Sequence, residues 1–261
     1  MAMVLKKRRK YVLSKWIKTK VLLGNGDARS HIPDTRKFSK STLTTMLKLY
    51  GMVYVKPEIG THGKGVIRVE KRGGAEYAYQ LGTREKGFRD YETFYQSLVR
   101  ETKKKSYLIQ KGIHLVKYKK RRFDIRVMVQ LSPKGVWETT ALIGRVAPPK
   151  RIVTNYHSGG KLMDVKSLLS AHLSESKMKN VMHKLDKLGV ATARHLHKKY
   201  PGIRQIGLDI GFDHSWIPWI IEVNTNPDPY IFNKLSDKSM YRKVMRYKRA
   251  AFKHVRGTVT Q

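Results

Sequence analysis

Apolar and polar residues alternate most clearly from Phe123 to Ala147, where FDIRVMVQL and GVWETTALIGRVA flank the turn-forming stretch Ser132–Gly135. Alternation of period two around such a turn predicts a β-hairpin. A second hairpin is predicted by the apolar runs Ile206–Phe212 and Ile217–Val223, joined by the polar turn Asp213–Trp216. Earlier in the chain, Met52–Val55 reads as a short strand ended by Lys56-Pro57, Val66–Val69 as a second and Tyr77–Gln80 as a third. SYLIQKGIHL reads as a buried strand running into a loop. Helical spacing takes over in KSTLTTMLKLYG, where Leu43, Met46, Leu47 and Tyr50 share a face, Ser and Thr supply caps and Gly51 ends the helix. FRDYETFYQSLVRE places Phe88, Tyr91, Tyr95 and Leu98 on one face, and Met178–Tyr200 forms a long amphipathic helix around Val181, Leu185 and Leu188. Hairpins interspersed with helices predict an α/β protein of the α+β kind.

Composition sets bounds on this picture. A chain of 261 residues with 40% hydrophobic content can bury the core of one or two domains. No apolar run has the length of a membrane span and the first residues lack a secretory pattern, so a cytoplasmic protein is the default expectation. The absence of cysteine excludes disulfides and thiolate metal sites. The charge is the unusual quantity: Lys+Arg 55 against Asp+Glu 19 leaves +36. Such a field attracts polyanions, and the basic residues gather at Lys6–Lys10, Lys103–Lys105, Lys117–Arg122 and Tyr241–Arg256. These runs predict either solvated faces or contact of the basic ends with nucleic acid or an acidic protein.

The second hairpin carries the strongest chemical signal. Asp209 lies in its first strand, and Glu222 and Asn224 lie at the end of its second. With a two-residue turn at His214 and Ser215, all three project from one face. Ionised carboxylates within apolar strands need compensation, and a hard cation such as Mg²⁺ (or Mn²⁺) supplies it; the alternative is a surface hairpin with two solvated acids. Gly60, Gly63 and Gly65 flank His62 and Lys64, a composition that lets backbone N–H groups approach phosphate. This is not a P-loop, because GxxxxGK[ST] is absent and no helix follows, and a purely structural turn remains the alternative. Asp124 and Arg126 share a strand face and Arg145 lies on the returning strand. The arginine fork suits phosphate or carboxylate, although each could be an ordinary salt-bridged side chain.

Taken together these motifs resemble a known family. V-K-P-x-x-G-x-x-G-K-G-V from Val55 to Val66 is similar to the phosphate loop of ATP-grasp proteins, and Asp209 with Glu222-x-Asn224 and the following prolines resembles their metal-binding end. With the I-P-D-T stretch at Ile32–Thr35 and E-V-N-T-N-P at Glu222–Pro227, the likeness is strongest to the YheC/YheD endospore-coat-associated ATP-grasp family. The ribosomal-protein glutamate ligases are a more distant likeness. The resemblance implies two lobes, each an antiparallel sheet with helices, clamping ATP. It implies Lys15, Lys56, Gly63, Lys64 and Gly65 at the phosphates, Gln110, Lys111 and Ile113 at the hinge beside adenine, and Asp124 at the ribose. Asp209, Glu222 and Asn224 would hold Mg²⁺. Arg126, Arg145 and Asn155, the last in an N-x-x-x-G-G loop with Gly159 and Gly160, would serve catalysis. One departure stands in that loop: Val153 occupies a position where the glutamate ligases carry arginine.

The activity so implied is ATP- and Mg²⁺-dependent carboxylate–amine ligation through an acyl phosphate, linked to the endospore coat or forespore. The acid and amine are unidentified, with an acidic peptide or protein among the candidates. The implied division is a basic segment 1–35, remnant of a preceding domain, an ATP-grasp domain 36–233 and a basic tail 234–261. Other classes stay open: an ATP-grasp kinase, a nucleic-acid- or polyanion-binding protein, or a structural coat protein with a degenerate nucleotide site.

Overall fold

The computed structural model describes the backbone of residues 11–256, apart from Asn25, Ala75 and Lys104, and the side chains through Ala251. The basic cluster Lys6–Lys10 and Lys104 therefore lie outside the described residues. In order the chain forms α1 (Lys15–Leu23), α2 (Gly26–Arg29), β1 (Thr35–Lys37), α3 (Lys40–Tyr50), β2 (Met52–Pro57), β3 (Ile67–Lys71), β4 (Tyr77–Leu81), β5 (Arg84–Phe88) and α4 (Tyr91–Thr102). There follow β6 (Tyr107–Lys111), β7 (Lys117–Tyr118), β8 (Arg121–Leu131), β9 (Trp137–Val146), β10 (Lys161–Met163), α5 (Val165–Leu169), α6 (Glu175–Lys199), β11 (Gln205–Phe212), β12 (Pro218–Asn224) and α7 (Ser239–Arg256).

The strands make two antiparallel sheets, one ordered β1-β6-β2-β3-β4-β5 and the other β10-β9-β8-β11-β12 with β7 paired to β8. Each sheet has its own core, so the expected two-lobed α+β architecture is present. In the first lobe Leu43, Met46 and Leu47 of α3 and Phe94 and Leu98 of α4 bury against Val53, Val55 and Ile67. Ser39 and Asp90 cap these helices by accepting the amides of Thr42 and Thr93. In the second lobe Val181, Leu185 and Leu188 of α6 bury against Val127 and Val129, and α1 joins this core through Leu22. The other face of β8 and β9 is covered by Val244 of α7 and Phe232. The basic tail is thus amphipathic: Val244 and Tyr247 are buried while Arg242, Arg246 and Arg249 are exposed.

Two expectations for the first lobe need correction. Phe88 does not belong to the helix; it ends β5, and Asp90 starts α4 two residues later. The strand REKGF was invisible to alternation because four of its residues are exposed at the sheet edge. Lys56-Pro57 also does not end its strand, since β2 pairs with β6 through Pro57.

Candidate nucleotide and metal site

The second hairpin brings its two carboxylates together by a route different from the one expected. The turn is not two residues long. Asp213 and Ile217 close it, the Asp213 amide donating to the Ile217 carbonyl at 3.2 Å, and Trp216 takes a left-handed φ of 58°. Continued unbroken, that register would set Asp209 opposite Ile221. A bulge between Asp209 and Ile210 restores Asp209 opposite Glu222 and Gly207 opposite Asn224. The extra residue is Ile221, whose carbonyl accepts from the Lys56 ammonium at 3.5 Å.

Register carries the same face across two more strand pairings. Asp209 is opposite Arg126 on β8, and Asp124 is opposite Arg145 on β9. Arg126 Nε donates to Asp209 at 2.5 Å, and Arg145 donates to Asp124 through Nε at 2.8 Å and Nη2 at 2.7 Å. Arg145 also lies 2.8 Å from the second oxygen of Asp209, and the Thr154 hydroxyl donates to Asp124 at 2.5 Å. Burial alone would push the Asp209 carboxyl up. Arg126 and then Arg145 outweigh it and hold the group well below the usual carboxylate range. The alternative of a surface hairpin with solvated acids is excluded for Asp209, which is 3% exposed. Glu222 is different: its side chain is 24% exposed, and its nearest cation is Lys15 at 3.4 Å.

Lysines and the glycine loop close the site from the first lobe. Lys56 is buried, donates to Gln110 Oε1, and sits 5.6 Å from the Tyr54 ring. Burial lowers its pKa to about 8, against the opposing pull of Glu222. Lys15 donates to the Gly60 carbonyl at 3.0 Å and so ties α1 to the glycine loop. That loop is pinned to the segment after β9, because Ser158 Oγ donates to the His62 carbonyl at 2.7 Å. Gly63 is needed there: its φ is +70°, and a Cβ would stand 2.8 Å from Asn155 Oδ1.

Between these parts lies a cleft open to solvent. Of the residues expected at the site, Lys15, Lys56, Gly63, Lys64, Gln110 and Lys111 line it from the first half of the chain. Ile113, Asp124, Asn155, Asp209 and Glu222 complete the gathering. Gly65, Arg126, Arg145 and Asn224 are not in its lining; the two arginines lie behind the carboxylates they pair with. Asp124 meets the cleft with both oxygens already engaged by Arg145 and Thr154. The Lys111 amide donates to the Asp34 carbonyl, and its ammonium lies 5.2 Å from the Tyr50 ring and 5.3 Å from that of Trp219.

Sequence reasoning missed Tyr54, Arg122 and Thr154 in the wall. Tyr54 and Arg122 could have been found by strand parity, since they share a face with Lys56 and Asp124 respectively. Thr154 had no local signal. Val153, the position of the departure, packs at the glycine loop, where its Cγ1 would stand 3.0 Å from a Cβ on Gly63.

The whole arrangement is matched by one family. A profile described as YheC/D like ATP-grasp covers residues 7–251. The chain belongs to the YheC/D-like ATP-grasp family. Endospore coat-associated protein YheD of Bacillus subtilis (strain 168) is 26% identical over 214 residues, 77% of this chain and 47% of that protein. Endospore coat-associated protein YheC of the same strain is 21% identical over 217 residues, 82% of this chain and 59% of that protein. This ATP-grasp chain thus spans about half the length of the curated relatives it matches. Among solved structures, carboxyaminoimidazole ribonucleotide synthase from Aspergillus clavatus complexed with ATP superposes with a TM-score of 0.56 at 10% identity, covering 90% of this chain and 51% of that one. D-alanine–D-alanine ligase from Bacillus anthracis complexed with ATP gives 0.53 at 16% identity, covering 94% and 68%. At these identities the likeness is one of fold, and the fold is ATP-grasp.

Proposed function

We propose that this chain is an ATP-dependent carboxylate–amine ligase. The observation that carries the reading is the convergence of Lys56, the glycine loop, Gln110–Ile113 and the opposed Asp209 and Glu222 on one cleft between two sheets. In the proposed reaction a carboxylate oxygen attacks the γ-phosphorus of ATP, and the bond to the β-phosphate oxygen breaks with its electron pair leaving on ADP. An amine then attacks the acyl carbon, phosphate departs, and the amine proton passes to solvent or a nearby base. Lys56, Lys64 and the amides around Gly63 would hold the phosphates, and Lys15 would reach them from α1. Arg126 and Arg145 keep Asp209 ionised and fixed in rotamer. The donor set fits a hard cation: two opposed carboxylates and a carboxamide, with lone pairs of Asp209 left over after its two arginine contacts. When bound, Mg²⁺ held by Asp209, Glu222 and Asn224 would neutralise phosphate charge. Ile113 and Gln110 would meet the adenine and Asp124 the ribose, and Asn155 would position the acyl phosphate. From the names of the curated relatives we extend an endospore-coat association to this chain as part of the proposal.

Incubation with Mg-ATP, a pool of acids and hydroxylamine tests the chemistry. ADP together with an acid-dependent hydroxamate is the expected result. AMP and pyrophosphate would reject the mechanism, and a stable phosphorylated product without any amine requirement would identify a kinase.

A further inference from the structure

Lys15, Lys56, Gln110, Ile221 and Glu222 line both the main cleft and a smaller side cavity that adjoins it. The rest of its wall is formed by Lys18, Thr19 and Thr35 with apolar Leu22, Ile32, Leu108, Ile220 and Val223. The space holds only a few water-sized groups, enough for a carboxylate and a short carbon chain. Lys18 borders this cavity and not the main cleft.

Lys18 is the anomaly. It lies one turn along α1 from Lys15 on the buried face and is 6% exposed, while Lys20 on the same helix reaches solvent. Lys15 has Glu222 and the Gly60 carbonyl, and Lys56 has Gln110 and the Ile221 carbonyl. The ammonium of Lys18 has no hydrogen bond or ion pair among the described residues; the nearest influences are the more distant charges of Glu222, Lys15 and Asp209. A buried ammonium without a partner is unfavourable unless an anion arrives. The surrounding charges leave room for one. Asp209 and Asp124 are already paired with Arg126 and Arg145, so Glu222 is the main charge opposing Lys15, Lys18 and Lys56, with Asp209 a smaller one. Phosphates in the main cleft would meet Lys15 and Lys56, and Lys18 would remain unmet.

We propose that the side cavity is the pocket for the acid substrate, with the Lys18 ammonium anchoring one carboxylate oxygen and the aliphatic wall selecting a small, compact carbon chain. The inference rests on the ligase reading for the fate of the carboxylate, but not for its binding. An acid held at Lys18 would lie beside Lys56 and Glu222, which also line the main cleft, so its carboxylate would adjoin the side on which the phosphates are proposed to sit. The Thr35 hydroxyl donates to the Pro33 carbonyl at 2.8 Å and accepts from Gln110 Nε2 at 3.3 Å, so it is already engaged on both counts.

The test uses the full chain saturated with Mg²⁺ and a non-hydrolysable ATP analogue, in 0.15 M salt, with ¹³C-propionate as probe followed by ligand-observed NMR. Propionate is expected to bind the wild type and to lose at least tenfold in affinity in Lys18→Met, which keeps the aliphatic stem. The dissociation constant of the nucleotide analogue should stay within twofold. Lys18→Gln supplies the same comparison if the methionine variant does not fold. Propionate binding that is absent from the wild type, or unchanged in both variants, overturns the pocket. A loss of nucleotide affinity beyond fivefold with inorganic phosphate displacing propionate also overturns it, by making Lys18 a phosphate ligand. Lys18-dependent propionate binding with no hydroxamate from any acid would leave the pocket standing and remove the ligase reading.

Discussion

Asp209 and Glu222 face each other on one pair of strands, yet their surroundings predict opposite consequences for neutralising them. Asp209 is buried and answers two arginines, so Asp209→Asn leaves Arg126 and Arg145 short of charge in the core. Breaking a buried pair in this way costs about 3–5 kcal/mol. Glu222 is a quarter exposed and meets only Lys15, an interaction worth about 1 kcal/mol or less. Chemical denaturation should therefore separate the two variants clearly. Mg-dependent nucleotide affinity should fall at least tenfold in Glu222→Gln with its stability intact; an unchanged affinity would remove Glu222 from the metal set. Lys56 and Lys18 belong to the same scale. Burial holds each at about 8, below the ordinary 10.5, so the unfolded chain binds more protons between those values. Stability of the unliganded protein should rise with pH from about 8 to 10.5 as this penalty is relieved. Titrating denaturant midpoints across that window should give a shallower rise in Lys56→Met and in Lys18→Met than in the wild type.

At the scale of elements, the glycine loop and the segment 152–160 act as one unit across the two lobes. Gly63→Ala must hold alanine at φ +70°, which costs about 1–2 kcal/mol, and must displace Asn155 as well. Thermal melting should drop by a few degrees. Nucleotide affinity should fall more than this loss alone accounts for, because the loop amides would be re-aimed. Equal nucleotide affinity in Gly63→Ala would argue that the loop does not touch phosphate. The same logic explains why the hairpin at Asp209 works. A three-residue turn gives the wrong parity, and the bulge at Ile221 corrects it while releasing a carbonyl to Lys56.

For the whole molecule, part of the net charge of +36 is displayed on the outer face of α7. Arg242, Arg246 and Arg249 repeat at helical spacing and are exposed, whereas the apolar face of the helix is spent on β8 and β9. Gln130 Nε2 donates to the Val244 carbonyl at 3.2 Å and Tyr247 donates to Glu138 at 2.9 Å, which fixes the helix in place. Replacing the three arginines by glutamate should leave nucleotide binding within twofold. It should weaken association with a polyanion such as heparin, and flatten the salt dependence of that association. Retention of wild-type salt dependence would place the polyanion contact elsewhere.

Much of this was legible before any coordinates. The hairpins and helices follow from alternation and helical faces, because burial of one side of each element imposes a period that sequence must carry, while their division into two lobes was implied by the family resemblance. The glycine loop was readable because backbone freedom is a local property, whereas the facing of Asp209 and Glu222 was expected from a two-residue turn and is instead produced by a bulge that strand parity does not reveal. Other features depend on residues far apart in the chain and left no local trace. The edge strand Arg84–Phe88 exists because β4 offers it hydrogen bonds, not because its side chains alternate. Arg126 and Arg145 read as anion-handling arginines, but register across β9, β8 and β11 sets them against Asp124 and Asp209. Lys18 looked like one cation among many. Only the packing of α1 turns it inward onto the side cavity without a paired anion, because burial of a charge is decided by what the rest of the chain places around it.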